Sequence, residues 1–584
     1  MAERIVSPGV FTNEVDQSFL PAGIAAIGAA VIGPTQKGPA GIPTTVTSYS
    51  DFVQTFGAAF SSGSGASENS YKYLTNYMAQ EYLKYADTLT VVRILAGAYG
   101  PASAAVTASG VNANSFTLTT LSDGADQNSG LTVYGTETTN NALVSGSVNN
   151  LRWEVSNVSQ AKGTFTLLIR RGDDTSKRKT ILEQYNNLTL DPNSNNYIAR
   201  VIGDQSNTLK DAGTSDPFLQ LSGSFVNRSK YVRVSVDRTT YNYLDVNGNI
   251  RDANLTGSLP AAISGTFHGG SDGTVVHPIA FYDEISNTNT QGFNLGTAAT
   301  ENSYNDAIFL LKNQDEYDIN LLALPGLVDN FANHSKVLST ALTAMEDRSD
   351  AFLLIDPVEY GATLATAAAK AEARDSNYAA EYWPWLKIPD VDLGRNVWVP
   401  ASTLIPSVYA FNDRVAAPWF APAGLNRGGL DIVVQTERKL TQSNRDTLYE
   451  SAVNPIATFP NTGVVVYGQK TLQKKASALD RVNVRRLLIA AKKFVASSTK
   501  FLVFENNTAA TRNRFLSLVN PYFENVQQRQ GLFAFKVVMD ETNNTPDVID
   551  RNEMRGAIFL QPAKTAEFII IDFNILPTGA AFPE

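Results

Sequence analysis

The sequence predicts a multidomain protein of α/β and α+β class. We expect a three-layer α/β core, inserted β-rich outer domains and a small α+β C-terminal domain. Strand-like and helix-like segments alternate before residue 97 and after residue 274, which is typical of a three-layer α/β domain. Residues 97–274 are instead rich in Ser, Thr, Asn and Gly and contain short runs of alternating apolar and polar residues. In residues 466–563, predicted helices come before predicted strands. A chain of 584 residues has room for about three to four such units.

Short segments at both ends are predicted to lie outside these domains. Ser7-Pro8-Gly9 is turn chemistry, Val10–Asp16 is a short extended segment, and Pro21-Ala22-Gly23 separates both from the first core strand. The predicted organisation is an N-terminal arm (1–22), a discontinuous α/β core (23–96 and 275–465), an inserted β-rich region of one or two domains (97–274), a C-terminal α+β domain (466–563) and a C-terminal arm (564–584).

The core is assigned from alternating apolar runs. Gly23–Gly33 and Leu89–Leu95 are predicted to be strands, and aromatic and apolar residues recur at helical spacing over Tyr71–Tyr85. After the insert, we predict strands over Asn320–Leu324, Ala351–Ile355, Tyr378–Leu386 and Gly463–Tyr467, and helices over Ser303–Asn313, Phe331–Glu346, Tyr360–Arg374 and Ser443–Ser451.

The inserted region is predicted to consist of short strands. Asn247-Gly248 is the dipeptide typical of a tight β-hairpin turn. The strand-like runs are Ser115–Leu121, Leu151–Val155, Phe165–Arg171 and Tyr231–Val236.

The C-terminal domain is predicted to contain two helices and, after them, two strands. Ser477 with Asp480 resembles a capping box that opens the first helix. A second helix near Thr508–Val519 is expected to stop before Pro521. The strands are predicted over Phe533–Met539 and Gly556–Gln561.

Charge is unevenly distributed along the chain. The net charge of −9 argues against a general nucleic-acid binder, yet residues 470–584 contain 16 Lys and Arg against 11 Asp and Glu. This basic segment either meets an acidic partner or forms a solvated face. Its first helix is predicted to turn apolar residues inward and to leave a basic stripe on the other side, formed by Arg485, Arg486, Lys492 and Lys493.

The run Ala566–Pro577 is predicted to be a strand near the C-terminus. Ile569, Ile571, Phe573 and Ile575 fall on one face at period two, and β-branched and aromatic residues dominate. An unpaired strand of this kind invites aggregation. It is therefore predicted to pair either within its own domain or with another copy of the chain.

The sequence offers little for catalysis or metal binding. It has no Cys and three His, and these His do not fall in ligand-spaced motifs. Gly269–Gly273 is favoured as a tight turn over a phosphate loop, and Asp245–Asn249 as a hairpin over a calcium loop. We expect no catalytic residue, no cofactor and no metal. The chain has 23 Tyr and 29 Phe, and this aromatic content without catalytic motifs favours an assembly protein over an enzyme.

No membrane or export signal is apparent. The N-terminus lacks the apolar region of a signal peptide, and Gly23–Gly33, the longest apolar stretch, is too short to span a bilayer. We expect a cytoplasmic product without direct membrane contact.

Several segments, in order along the chain, resemble the tail-sheath proteins of contractile-tailed bacteriophages. Ser7–Asp16 resembles the opening of that family, and Pro562–Ile569 resembles a segment near its end. Each motif is weak alone, and the ordered set is specific. The other matching segments are Leu188–Asp204, Gly269–Gly273, Asn320–Gly326, Tyr382–Ile388, Ala417–Gly424, Val453–Ile456 and Gly468–Leu472.

The resemblance implies a mechanical role and no enzyme activity. Sheaths of this kind are hexameric rings stacked helically around a tail tube, between baseplate and tail terminator proteins. They are assembled in the host cytoplasm and become part of the virion tail. Contraction drives the tube through the host envelope, with no direct contact to nucleic acid or membrane.

The resemblance also implies that the arms of neighbouring subunits complete the C-terminal-domain sheet. The residues expected in this strand exchange are Val10, Phe11, Val15, Phe568, Ile569, Ile570, Ile571, Phe573 and Ile575. The tube-facing candidates are Arg485, Arg486, Lys492 and Lys493.

Three other functions stay open. The sheath of a headless contractile device, such as a bacteriocin or secretion machine, would show the same features. A β-rich adhesin would use residues 97–265 as its binding unit. An α/β enzyme would need titratable groups that converge in a pocket, and the His and Cys content disfavours it.

Overall fold

A computed structural model describes residues 28–62, 69–274 and 282–567. None of the helices in these three ranges is both long enough and apolar enough to cross a membrane. Their strands are β1 (Gly28–Gly33), β2 (Thr44–Val46), β3 (Phe60–Ser62), β4 (Asn69–Tyr71), β5 (Leu89–Arg93), β6 (Tyr99–Thr107), β7 (Asn114–Asp123), β8 (Leu151–Ser159), β9 (Thr164–Arg171), β10 (Ile181–Thr189), β11 (Ser206–Lys210), β12 (Phe218–Ser222), β13 (Val232–Val236), β14 (Ser264–Thr266), β15 (Ser271–Asp272), β16 (Ile319–Val328), β17 (Phe352–Asp356), β18 (Ala379–Trp383), β19 (Leu386–Asp390), β20 (Arg395–Val399), β21 (Gln435–Thr436), β22 (Val453–Phe459), β23 (Gly463–Val466), β24 (Leu532–Val538) and β25 (Ala557–Pro562). Their helices are α1 (Tyr49–Phe56), α2 (Leu74–Tyr82), α3 (Ile198–Ile202), α4 (Ala253–Thr256), α5 (Ala298–Lys312), α6 (Ala332–Arg348), α7 (Leu364–Glu372), α8 (Ile405–Val415), α9 (Gln442–Glu450), α10 (Val482–Thr499), α11 (Ala509–Gln528) and α12 (Pro546–Asp550).

The largest sheet of the described residues has eight strands in the order β2-β5-β1-β16-β17-β18-β22-β23. The six inner strands are parallel, and β2 and β23 add antiparallel edges. β1 lies between β5 and β16. The chain therefore leaves this sheet after β5 and returns to it at β16, which pairs with β1. The residues between 93 and 319 are therefore inserted between two strands of one sheet.

Helices cover both faces of this sheet. Successive residues of β1 alternate between two apolar clusters, with Ala29 and Val31 in one and Ala30 and Ile32 in the other. The first cluster includes side chains of α1, α2 and α8, and the second includes side chains of α5, α6 and α7. This arrangement, a parallel sheet buried on both faces, explains why its strands read as continuous apolar runs.

The inserted residues form further sheets. One has the order β10-β9-β8-β14 and another the order β13-β7-β6-β15, and both contribute to one apolar cluster. In that cluster Phe116 stacks on Phe165 at 5.6 Å between ring centroids, and Trp153 is fully buried. The hairpin predicted at Asp245–Asn249 is confirmed, since Leu244 and Ile250 pair in an antiparallel bridge and the Asp245 N–H donates to the Asn249 carbonyl at 2.8 Å.

Three predictions differ in the structure. The predicted capping box does not open the first C-terminal helix, because Ser477 caps a separate short turn of 3₁₀ helix at Ala478–Asp480 and α10 begins at Val482 without a side-chain cap. The single strand predicted over Tyr378–Leu386 is two strands, β18 in the large sheet and β19 in a three-stranded sheet, separated at Pro384. Helix α11 does not end before Pro521 but continues to Gln528. Pro521 removes one backbone donor, yet Phe523 beyond it is buried in the C-terminal core, so packing outweighs the local cost.

The core sheet also buries two carboxyl groups. Glu381 on β18 is fully buried, and within the described residues neither carboxylate oxygen has a hydrogen-bond partner. Burial and the neighbouring Asp329 charge raise the pKa of Glu381 well above its usual range. Burial raises the pKa of Asp356 to about 7, although Ser402 donates two hydrogen bonds to it. The fold therefore favours the protonated form of both groups relative to water.

Replacing Glu381 by Gln is expected to stabilise the protein increasingly as pH rises. A carboxyl group with a raised folded-state pKa contributes stability that is present at acid pH and is lost as pH rises toward that pKa. Glu381→Gln is neutral at every pH, so its advantage should be near zero at pH 4 and exceed about 1 kcal/mol at pH 8. Denaturant unfolding at both pH values measures this.

Glu541→Gln is the control, because Glu541 is exposed and its replacement should change neither value appreciably. A Glu381→Gln variant with the same advantage at pH 4 and pH 8 would contradict the raised pKa.

Candidate assembly surface in the C-terminal domain

The C-terminal domain packs two helices against one face of a two-stranded sheet. Leu487 of α10, Phe523 of α11 and Leu532 of β24 meet in a buried apolar cluster. Trp419, from the segment after α8, joins this cluster, and its indole N–H donates to the Arg529 carbonyl at 3.1 Å. The domain thus has its own core, to which the segment after α8 contributes Ala417, Trp419 and, partly buried, Phe420.

The sheet of this domain has two strands, and each has an outer edge without a partner strand among the described residues. β24 pairs antiparallel with β25, and no third strand of the described residues joins either outer edge. On the face away from the helices, Phe533 and Phe559 are 66% and 60% exposed. A two-stranded ribbon is marginally stable by itself, and an unpaired edge is a template for another strand. This geometry can accept strands from outside the described part of the chain.

The basic stripe predicted on α10 does not face solvent. Arg485, Arg486 and Lys493 are 3%, 8% and 8% exposed, whereas Lys492 is exposed. The solvent-facing interpretation is therefore wrong for three of the four residues. Their spacing puts them on one side of the helix, but that side lies against the core domain. A contact between Lys492 and a tube stays a prediction.

Contacts with the core domain account for these buried cations. The Arg485 guanidinium lies 4.1 Å from the Tyr378 ring centroid. Arg486 lies over Tyr409 and donates to the Asp413 carboxylate at 2.5 Å. The remaining cation, the Lys493 ammonium, pairs with Asp318 and, at 3.2 Å, with Asp350. The basic face of α10 therefore joins two domains of one chain.

A second junction between the C-terminal segment and the core has no counterpart in the sequence prediction. Glu567, the last described residue, accepts hydrogen bonds from Tyr449, Gln469 and Arg481. We call these four residues the Glu567 clasp. Burial opposes ionisation of Glu567, but the hydrogen bonds outweigh it and hold the pKa of that carboxyl below its usual range.

Family models match both the central and the C-terminal parts of the chain. One, described as the phage tail sheath protein central domain, matches residues 299–472, and another, the phage tail sheath C-terminal domain, matches residues 474–575. The central and C-terminal parts of the chain are phage tail sheath domains. The second match contains α10, α11, β24 and β25, so the incomplete sheet lies in the sheath C-terminal domain.

Curated sheath proteins agree with this assignment over part of their length. The chain is 41% identical over 210 residues to the tail sheath protein of Vibrio phage KVP40, covering 36% of this chain and 30% of that protein. It is 39% identical over 189 residues to the tail sheath protein of Enterobacteria phage T4, covering 32% and 29%. Each alignment thus spans less than a third of the relative.

A solved structure is similar in fold to this chain. The sheath tail protein of Listeria innocua is similar with a TM-score of 0.52, covering 93% of this chain and 96% of that one. At 11% identity this likeness concerns the fold alone.

The strand exchange stays a prediction, because its residues lie outside the described part of the chain. They are Val10, Phe11, Val15, Phe568, Ile569, Ile570, Ile571, Phe573 and Ile575.

Proposed function

We propose that this chain is the structural subunit of a contractile phage tail sheath. It polymerises as stacked hexameric rings around the tail tube and contracts to drive the tube through the host cell envelope. The observation that carries this proposal is the two-stranded sheet of β24 and β25, without a third strand among the described residues, in a domain matched to the sheath C-terminal domain.

Strand exchange is the proposed link between subunits. An extended segment that adds to a sheet edge gains main-chain hydrogen bonds, and alternate side chains give specificity. The run Phe568–Leu576 and the segment Val10–Asp16 are the proposed donors, because the sequence predicts an extended backbone for both and places both outside the predicted domains. Head-to-tail contacts form a ring where the rotation between copies closes and an open helix where it does not, so they can build rings that stack helically.

The proposed partners agree with this role. They are further copies of the chain, a tail tube protein, and baseplate and tail terminator proteins at the two ends of the sheath. We propose assembly in the host cytoplasm, a final location in the virion tail, and no enzyme activity. The work of contraction then comes from free energy stored when the subunits assemble.

Electron microscopy of the purified protein, alone and with the tail tube protein, tests the proposal. We expect hollow cylinders with six subunits per ring, and shorter, wider cylinders after contraction. A matched sample with an unrelated soluble protein in place of the tube controls for crowding. Small particles that never polymerise, even with tube protein, would contradict the proposed function.

A further inference from the structure

One carboxylate anchors the chain just before residue 568. The Oε1 atom of Glu567 accepts from Arg481 Nε at 2.8 Å and from Gln469 Nε2 at 3.1 Å. The Oε2 atom accepts from Arg481 Nη2 at 3.0 Å and from the Tyr449 hydroxyl at 2.9 Å. Gln469 also donates to Thr565 at 2.6 Å. Two donors on each oxygen fix both the position and the orientation of this carboxylate.

The segments that carry Gln469 and Arg481 are hydrogen-bonded to each other and to the core sheet. Lys470 and Arg481 face each other in an antiparallel bridge, and the Val482 N–H donates to the Gln469 carbonyl at 2.8 Å. The Asn454 side chain on β22 accepts from the Lys470 backbone at 2.6 Å and donates back to its carbonyl at 2.8 Å. The large parallel sheet therefore positions the groups that bind Glu567.

Exposure distinguishes this ion pair from the Glu553 ion pairs of the same domain. The side chains of Arg481 and Glu567 are 25% and 19% exposed. Glu553 also pairs with two arginines, Arg551 and Arg555, but the three side chains are 40–58% exposed. Exposed ion pairs contribute little to stability and do not fix the geometry of their side chains. A bidentate, largely buried pair contributes to stability and also fixes that geometry.

We infer that the Glu567 clasp is a positioning device that sets where residues 568–584 leave the subunit. The clasp joins that exit point to the core sheet rather than to the β24–β25 sheet of its own domain. A strand donated to a neighbour must start from a defined place to reach a defined edge. The consequence for assembly rests on the proposed function, and the exit geometry itself does not.

Distance measurements on the monomer test the exit geometry. Because the chain has no Cys, spin labels can be placed at Asp446→Cys, exposed on α9, and at Phe568→Cys, the first residue after the clasp. We expect one narrow distance population in the otherwise unchanged chain and an at least twofold broader one after Glu567→Gln. Arg481→Lys, which keeps the charge but loses the two-pronged donor, should give an intermediate width.

Glu553→Gln is the matched control, since it removes a carboxylate from arginine pairs on the same domain without touching the clasp. It should leave the distance distribution unchanged. Equal widths for the parent chain and Glu567→Gln would overturn the inference.

Polymerisation measures the consequence. Glu567→Gln should raise the concentration needed for polymerisation at least tenfold while the melting temperature stays close to that of Glu553→Gln. If the parent chain never polymerises but the distances broaden, the clasp stands and the proposed function fails. If the parent polymerises and Glu567→Gln matches it, the positioning role in assembly fails.

Discussion

A chain that ends at Glu567 is expected to fold and to lose polymerisation. The truncation removes the proposed donor strand and keeps every residue of the two-stranded sheet, its helices and the Glu567 clasp. Circular dichroism and the melting temperature should match the full chain. Electron microscopy and sedimentation should show single subunits at concentrations at which the full chain, with tube protein, forms cylinders.

A shorter truncation supplies the control. Ending the chain at Pro577 removes residues 578–584 but keeps the whole strand-like run, so polymerisation should persist. If ending at Glu567 instead exposed the backbone amides of β24 and β25 to hydrogen exchange, the terminal run would belong to its own domain. Undiminished polymerisation would show that this segment is not the donor.

The sequence predicts strands and helices where local pattern decides the structure. Strands predicted over Phe533–Met539 and Gly556–Gln561 agree with β24 and β25 to within one residue at each end, because both are short apolar runs flanked by turn-forming Gly, Asp or Pro. Two of the errors involve proline. Pro384 divides a predicted strand and Pro521 fails to end a helix, and in both cases packing partners distant in sequence determine the outcome.

The candidate site shows the same limit more clearly. Sequence spacing correctly groups Arg485 and Arg486 with the other cations of α10, but it cannot show whether solvent or protein faces them. Their partners Tyr378 and Asp413 lie 73 or more residues away. The clasp could not be predicted from the sequence for the same reason, since Tyr449 and Glu567 are 118 residues apart and form no motif. Only the fold brings such residues together.

A buried ion network in the insert carries the second large expected effect. The Asp174 carboxylate is fully buried and accepts from Arg170 at 2.8 Å on each oxygen. Arg152 approaches the same carboxylate at 3.4 Å, and the Thr180 backbone N–H donates to it at 2.9 Å. Both arginine side chains are 1% exposed. Two buried guanidinium groups therefore share one carboxylate, and each also pairs with a second one, Arg152 with Glu137 and Arg170 with Glu154.

Asp174→Ala is expected to destabilise the insert by about 3–5 kcal/mol, because it leaves buried positive charge and unpaired donors. Its neighbour offers a control of the same chemistry. Asp173 pairs with Arg171, but these side chains are 28% and 40% exposed, so Asp173→Ala should cost less than about 1 kcal/mol. Hydrogen exchange of β8 and β9 in the full chain reports the stability of the insert directly.

The contrast between the two aspartates separates burial from charge. Each variant removes one carboxylate from an arginine pair, so a loss caused by net charge alone would be equal in both. We expect the exchange protection of β8 and β9 to fall at least a hundredfold in Asp174→Ala and less than about tenfold in Asp173→Ala. Equal losses would mean that solvent reaches Asp174 and that the network does not hold the insert together.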